Sequence, residues 1–218
     1  GVGRERLVTL MAAVSAAAGQ LGLSRGRSPW LDELPERVPL PAASAVAGEE
    51  EATRWPVAIG LVDDPAAQAQ YPAVVDLASG GGLLVLGTGG SGRTTALRTL
   101  AVAAARGPAV TIMALDFASR ELLALGALPQ CALAAAGDDL EAVTRAIALL
   151  DRLLGQRRAA LAAAARDGSA APTFSRVLLV IDDYGNLAQT FEGAGASSQL
   201  AGWLETLNRV IVDGRQVG

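Results

Sequence analysis

The chain contains no histidine and no lysine; all 18 of its basic residues are arginine. Without histidine, imidazole acid–base chemistry and histidine-ligated metal centres are excluded. Cysteine occurs once, at Cys131, which rules out an intrachain disulfide and a cysteine-based metal cluster. Within the apolar run "CALAAA" that thiol reads as a small buried side chain. No run of basic residues occurs and the formal net charge is −4. A nucleic-acid groove normally shows as a basic face, so DNA is not expected as a partner. Residues Leu7 to Leu23 carry no charge, but they are alanine-rich and include Ser and Gln. Alanine adds little insertion energy, so this stretch reads as a water-soluble helix rather than a membrane span, and no signal peptide is expected.

The composition that remains is 51% hydrophobic and 18% charged over 218 residues. That is enough apolar material to bury a core, and the length suits one α/β domain with an appendage. Residues 3 to 22 favour helix. Pro29, Pro35, Pro39 and Pro41 then break regular structure and stiffen a connector. "ASAVAGEEEATR" (Ala43 to Arg54) is small and acidic and reads as a flexible loop, which places the domain boundary near Trp55.

From there, strand-type and helix-type runs alternate. "WPVAIGLVDD" and "AVVDL" are short β runs. "GLLVLG" (Gly82 to Gly87) is continuously apolar and ends in glycine, as expected of a central parallel strand. "TTALRTLAVAAAR" is helical, with Gly107-Pro108 as its stop. "AVTIMALDF" is the next strand. A long helix starts at the D-x-x-E signature of Asp138 and Glu141, and buries Leu140, Val143, Ile147, Leu150 and Leu154 on one face. Arg152, Arg157, Arg158 and Arg166 mostly fall off that stripe and read as a solvated face. "RVLLVIDDYG" is another apolar strand. "SSQLAGWLETLNRVIVDGR" is a final amphipathic helix capped by Ser197 or Ser198. Strands alternating with helices specify a parallel sheet with helices on both faces.

The chemistry concentrates in "GTGGSGRTTA". Gly87, Gly89, Gly90 and Gly92 allow positive φ and close backbone approach, so successive N–H groups can point at one anion. The helix that opens at Arg93 adds the positive end of its dipole. Thr88, Ser91 and Thr95 complete the loop, and Thr94 offers the hydroxyl that ligates Mg²⁺ in loops of this kind. ATP and Mg²⁺ are the expected cofactors. Arg93 occupies the place of the usual lysine. It keeps the charge, but on a bulkier planar fork, and phosphate binding should therefore survive better than hydrolysis. Asp182 and Asp183 end a buried strand at the carboxyl edge, where α/β sheets bind ligands. Asp182 would hold Mg²⁺ through water. Asp183 stands where hydrolysing proteins of this class carry a glutamate that orients the attacking water, and it is one methylene shorter. The bland alternative for the pair is a strand-end turn. Asp116 reads equally as a site residue or as a cap for "SRELLAL". Arg215 in "DGRQVG" reads as a surface arginine, with phosphate sensing as the alternative.

In the order "PVAIGLVDDPAAQAQYP", "GGGLLVLGTGGSGRTTALRTLA", "ALDFASREL", "VLLVIDDYG" and "VIVDGRQVG", these motifs resemble the FtsK/SpoIIIE class of motor ATPases. Within it they are most similar to the EccC family of type VII secretion ATPases. The resemblance implies a RecA-like P-loop NTPase fold over residues 55–218, preceded by a helix and connector over 1–54. It makes Gly87 to Thr95 the Walker A loop, and Asp182 with Asp183 the Walker B pair, giving Arg93 and Asp183 the catalytic positions. It also implies a later, altered ATPase domain of a longer chain, with weak or no hydrolysis on its own. Implied partners are other ATPase domains of the parent chain and secreted small helical proteins, with the parent forming a hexameric ring at the cytoplasmic face of the membrane. A DNA translocase and a non-catalytic docking module are the alternatives. The family carries a further strand after "GRQVG", between the loop strand and the Walker B strand; its absence here implies that the C-terminal part of the domain is missing.

Overall fold

The computed structural model describes residues 2–23, 31–40, 54–78, 82–107, 109–193 and 199–218. They fall into two compact units, Gly1–Pro35 with Asp63–Tyr71, and Glu36–Val62 with Pro72–Gly218. In the first unit, helix α1 (Val2–Gln20) forms where alanine is the commonest residue and proline is absent. Its apolar side chains Leu7, Val8, Leu10, Met11 and Val14 are exposed. Among the described residues no helix is long and apolar enough to cross a membrane. Residues 31–40 of the connector have no helix or strand. The proposed caps Ser197 and Ser198, and most of the acidic loop at 43–54, lie outside the described residues.

The expected strands β1 (Pro56–Asp64) and β2 (Ala69–Asp76) pair as a two-stranded sheet. In the second unit, helix α2 (Arg93–Ala104) follows the glycine loop. Strands β3 (Val110–Asp116), β4 (Cys131–Ala136) and β5 (Arg176–Asp182) form a parallel sheet in the order β4-β3-β5. A 3₁₀ helix (Glu121–Ala127) connects β3 to β4. The long helix α3 (Leu140–Asp167) crosses back to β5, and α4 (Tyr184–Glu192) and α5 (Gln199–Gly214) follow.

Strand alternation divides the core between the two faces of this sheet. Ile112, Ala114, Leu178 and Val180 pack with Leu100, Ala101 and Ala104 of α2, and with Leu122 and Leu125 of the 3₁₀ helix. Leu115 turns the other way, onto Val143 and Ile147 of α3, Leu187 and Phe191 of α4, and Leu204 and Leu207 of α5. Met113 meets Leu150, Leu154 and Val210 on that same side. Helices cover both faces, as the alternation of runs requires.

Several local expectations are corrected. The run Gly82–Gly87 forms no strand; among the described residues it has no ladder, and Leu84 and Leu86 are 76% and 82% exposed. Its composition suits a strand, but a ladder needs a neighbour, and the strand that the resemblance places beside it is not among those described. Asp139, not Asp138, caps α3, accepting from the Ala142 N–H at 3.0 Å. Asp138 instead pairs with Arg120. Arg157 is not on the solvated face. It lies one helical step beyond Leu154 on the buried stripe and is 6% exposed. Its guanidinium donates to the carbonyls of Val217, Gly218 and Ser175 and stacks over Phe174. Burial lowers its pKa. "CALAAA" is an edge strand despite alanine's weak β preference, and Cys131 is half-buried at its start. Its thiol pKa is raised by burial.

Candidate functional site

Three elements meet where β5 ends. The first is the loop before α2. Gly90 and Gly92 take φ of 76° and 88°, a region costly for any side chain. A Cβ on Gly87 would lie 2.3 Å from the Ser91 Oγ and 3.2 Å from the Ser91 Cβ, so any side chain there obliges Ser91 to move. The Ser91 N–H closes the turn on the Thr88 carbonyl at 3.2 Å. No side chain caps α2, and the first helical bond runs from Ala96 to Gly92. Among the described residues, the N–H groups of Arg93, Thr94 and Thr95 therefore find no backbone partner. Residues 86–92, which lead into these donors, are all exposed. Unsatisfied donors at a helix start, with positive dipole and glycines beside them, are an arrangement that can receive a phosphate. The Arg93 stem passes close to Gly87, and among the described residues its guanidinium makes no ion pair or hydrogen bond.

The second element is Asp182, 4% exposed at the last position of β5. Its Oδ2 accepts from the Thr94 hydroxyl at 2.5 Å, joining positions 88 residues apart. A hydroxyl and a carboxylate brought together at this edge offer oxygen ligands of the kind a divalent cation bound to phosphate takes. Among the described residues no group of three or more Asp, Glu or Cys side chains could hold a metal by itself. A cation here would therefore rely on phosphate oxygens and water beside Thr94 and Asp182, the habit of Mg²⁺.

The third element is the turn after β5. Asp183 adopts φ 60° and caps α4, its Oδ1 accepting from the Asn186 N–H at 3.1 Å. The residue expected to orient water thus has one carboxylate oxygen engaged in the fold. Asp116, the register partner of Asp182 and 2% exposed, accepts from the N–H groups of Ala118 and Leu122 at 2.9 and 2.8 Å. Its carboxylate thus anchors the start of the 3₁₀ helix, whose N-cap position is Arg120. Arg215 is exposed just before Val217, which Arg157 ties to the segment preceding β5. A strand of this length separates that end of β5 from Asp182 by about 20 Å, so the structure does not bring Arg215 to the site. Sequence reading passed over Asn186, whose side chain bonds the Phe117 carbonyl at 2.7 Å. The D-x-x-N spacing from Asp183 signals only the cap bond to the Asn186 N–H, and nothing local signals the bond to Phe117.

A parallel sheet with helices on both faces, a glycine loop opening a helix, and an acid at the carboxyl edge touching that helix's threonine define a P-loop NTPase. The chain belongs to the FtsK/SpoIIIE family, which matches it over residues 46–191. The ESX-3 secretion system protein EccC3 of Mycobacterium tuberculosis is 34% identical over 180 residues, 78% of this chain and 13% of that protein. ATPases 2 and 3 of Thermomonospora curvata EccC, solved with a signal sequence peptide, superpose with a TM-score of 0.58 at 29% identity, over 82% of this chain and 34% of that one. ATPases 2 and 3 of Geobacillus thermodenitrificans EssC share the fold, with a TM-score of 0.62 at 23% identity over 86% of this chain and 35% of that one. The chain thus spans about one-seventh of the length of the curated relatives it matches, 13–14% for EccC3 and for EccC4 of the ESX-4 system.

Proposed function

We propose that this chain is an ATP-binding domain of a type VII protein secretion ATPase, with weak or no hydrolysis of its own. The observation that carries this reading is the 2.5 Å contact between the Thr94 hydroxyl and the Asp182 carboxylate at the mouth of the glycine loop. Gly87 to Thr95 would hold the phosphates, through the free N–H groups of Arg93, Thr94 and Thr95 and through the Arg93 guanidinium. Thr94 and Asp182 would hold Mg²⁺, directly and through water. Bound with the nucleotide, the ion offsets charge on the phosphate oxygens. Two features favour slow turnover: arginine at position 93 lacks the compact reach of lysine, and one oxygen of Asp183 is committed to the α4 cap.

The domain is read as starting near Trp55, as a later ATPase domain of a longer chain that assembles in a ring at the cytoplasmic face of the membrane. The likeness to ATPases 2 and 3 of two homologous proteins supports that position. The proposed cargo, small helical secreted proteins, follows the same likeness. A DNA translocase is disfavoured by charge. Net charge is −4, and Arg98, Arg120, Arg145, Arg158 and Arg209 each face an acid rather than forming a basic stripe.

Thermal unfolding with and without ATP and Mg²⁺ tests the nucleotide reading. Ligand at 100 times its Kd stabilises the native state by about 2.7 kcal/mol, read as a rise of roughly 5–10 °C. No shift at millimolar nucleotide would refute it. Micromolar duplex-DNA binding that collapses with added salt would favour the translocase.

A further inference from the structure

We propose that Asn186 is a positioning residue that holds Asp182 in place for the bound cation, by completing the sheet where β5 itself turns away. This role presupposes the binding of ATP–Mg²⁺ at the glycine loop proposed above. The ladder of β3 and β5 ends with Asp116 opposite Asp182. One rung further, the Phe117 N–H still donates to the Asp182 carbonyl at 3.0 Å. The next rung would need a donor from β5 for the Phe117 carbonyl. The chain cannot supply it, because Asp183 reverses at φ 60° to begin α4. The side chain of Asn186 supplies it instead, Nδ2 donating to the Phe117 carbonyl at 2.7 Å. Phe117 is thereby gripped at both its N–H and its carbonyl, and Asp182 is fixed through the first of these.

Two further contacts make the brace rigid. The Asn186 N–H is itself held by the Asp183 carboxylate at 3.1 Å, so cap and brace share one residue. The Phe117 ring lies against Gly137, where a Cβ would come within 2.5 to 2.9 Å of ring atoms, so the ring cannot slide toward β4. A glutamine or glutamate at this third helical position usually reaches back to the cap residue's own N–H; here the side chain reaches sideways, across to the neighbouring strand. What the brace holds still is the carbonyl side of Asp182, whose carboxylate stands 2.5 Å from Thr94. Residues that orient a metal-holding group from behind typically change metal affinity 10–100-fold when removed.

The test separates cation affinity from nucleotide affinity and from stability. ATP affinity is measured by calorimetry with excess Mg²⁺ and again in EDTA, for the wild-type chain, Asn186→Ala and Thr190→Val. Asn186 is exposed, so its truncation leaves the core intact. Thr190→Val removes a different bond in the same helix, from the Thr190 hydroxyl to the Asn186 carbonyl. Asn186→Ala is expected to bind ATP in EDTA as the wild type does and to lose about tenfold of the gain that Mg²⁺ confers. Thr190→Val is expected to keep that gain. An unchanged gain in Asn186→Ala overturns the proposal alone, as does an equal loss in both variants. A wild type that binds ATP no better with Mg²⁺ overturns the site reading and this inference together.

Discussion

The two sides of the candidate site are built from similar sequence and end up in opposite physical states. "RVLLVID" and "GLLVLG" are both continuous apolar runs that lead to the chemistry-bearing residues. The first is β5, laddered to β3 along its whole length, with Leu178 and Val180 buried on one face. The second has no ladder among the described residues and bares Leu84 and Leu86. Composition is not what separates them. A strand exists through its neighbour, and β5 has β3, whereas the loop run has no described strand beside it. The acid side of the site is thus fixed by packing, and the glycine side by its own turn geometry and by α2. Removing material from the first should be costly, and from the second nearly free.

The largest expected effect is in the core under β3. Ile112→Ala should lower unfolding free energy by about 2–5 kcal/mol, the range for large-to-small changes at fully buried sites. Leu86→Ala should stay within about 0.5 kcal/mol. Urea denaturation of both variants checks the contrast; equal losses would mean that the leucine run is packed after all. Next comes Asp116→Ala, which strands the buried N–H of Leu122 and that of Ala118. Leaving such groups unpaired costs about 1–3 kcal/mol, while nucleotide affinity should follow only the change in folded fraction.

Asp183 gives a smaller effect and a sharper one. Asp183→Ala should cost about 1 kcal/mol as a lost helix cap, and Asp183→Asn should recover most of it. Arg93→Lys should raise turnover measured as phosphate release. Adding Asp183→Glu should lower the melting temperature, since glutamate caps poorly. If the double variant is both faster and as stable as Arg93→Lys alone, the cap is not the main duty of Asp183. The smallest effect concerns pH. The Trp55 N–H, foremost, with the Ala78 N–H and Arg54, holds the Asp76 carboxyl below its usual pKa. A depressed folded pKa means stability that is fully present above the unfolded value, near 3.9, and lost as pH falls through the folded one. The loss of melting temperature in Asp76→Asn should therefore be largest near pH 7 and shrink steadily as pH falls below about 3.9.

What was legible in the sequence follows the same physical divide. The parallel sheet, the helices on both faces and the loop at Gly87 to Thr95 could be read from apolar periodicity and glycine spacing, because these are local properties. The stripe from Val143 to Leu154 was equally plain. Arg157 was misread because charge was taken to mean exposure; its helical phase, three residues after Leu154, carried the signal. Asp139 and Asp138 are adjacent acids, and only the fold decides which caps α3 and which meets Arg120. The Asn186 brace joins positions 69 residues apart, and no local pattern encodes that contact. Gly82–Gly87 was misread in the other direction, since a run can have a strand's composition without having its partner.

The central claim is that the glycine loop, with Thr94 and Asp182, receives the phosphates and cation of ATP–Mg²⁺. Its most direct test is calorimetric titration of ATP–Mg²⁺ into the wild-type chain and Gly87→Val. The added side chain would displace the Ser91 hydroxyl, 2.3 Å from its Cβ, and crowd the Arg93 stem at the loop mouth, while residues 86–92 are exposed and outside the core. The account predicts that Gly87→Val melts within about 2 °C of wild type, as expected for a change outside the core, and loses at least tenfold in affinity, about 1.4 kcal/mol. A Gly87→Val protein that binds ATP–Mg²⁺ as tightly as the wild type would contradict it.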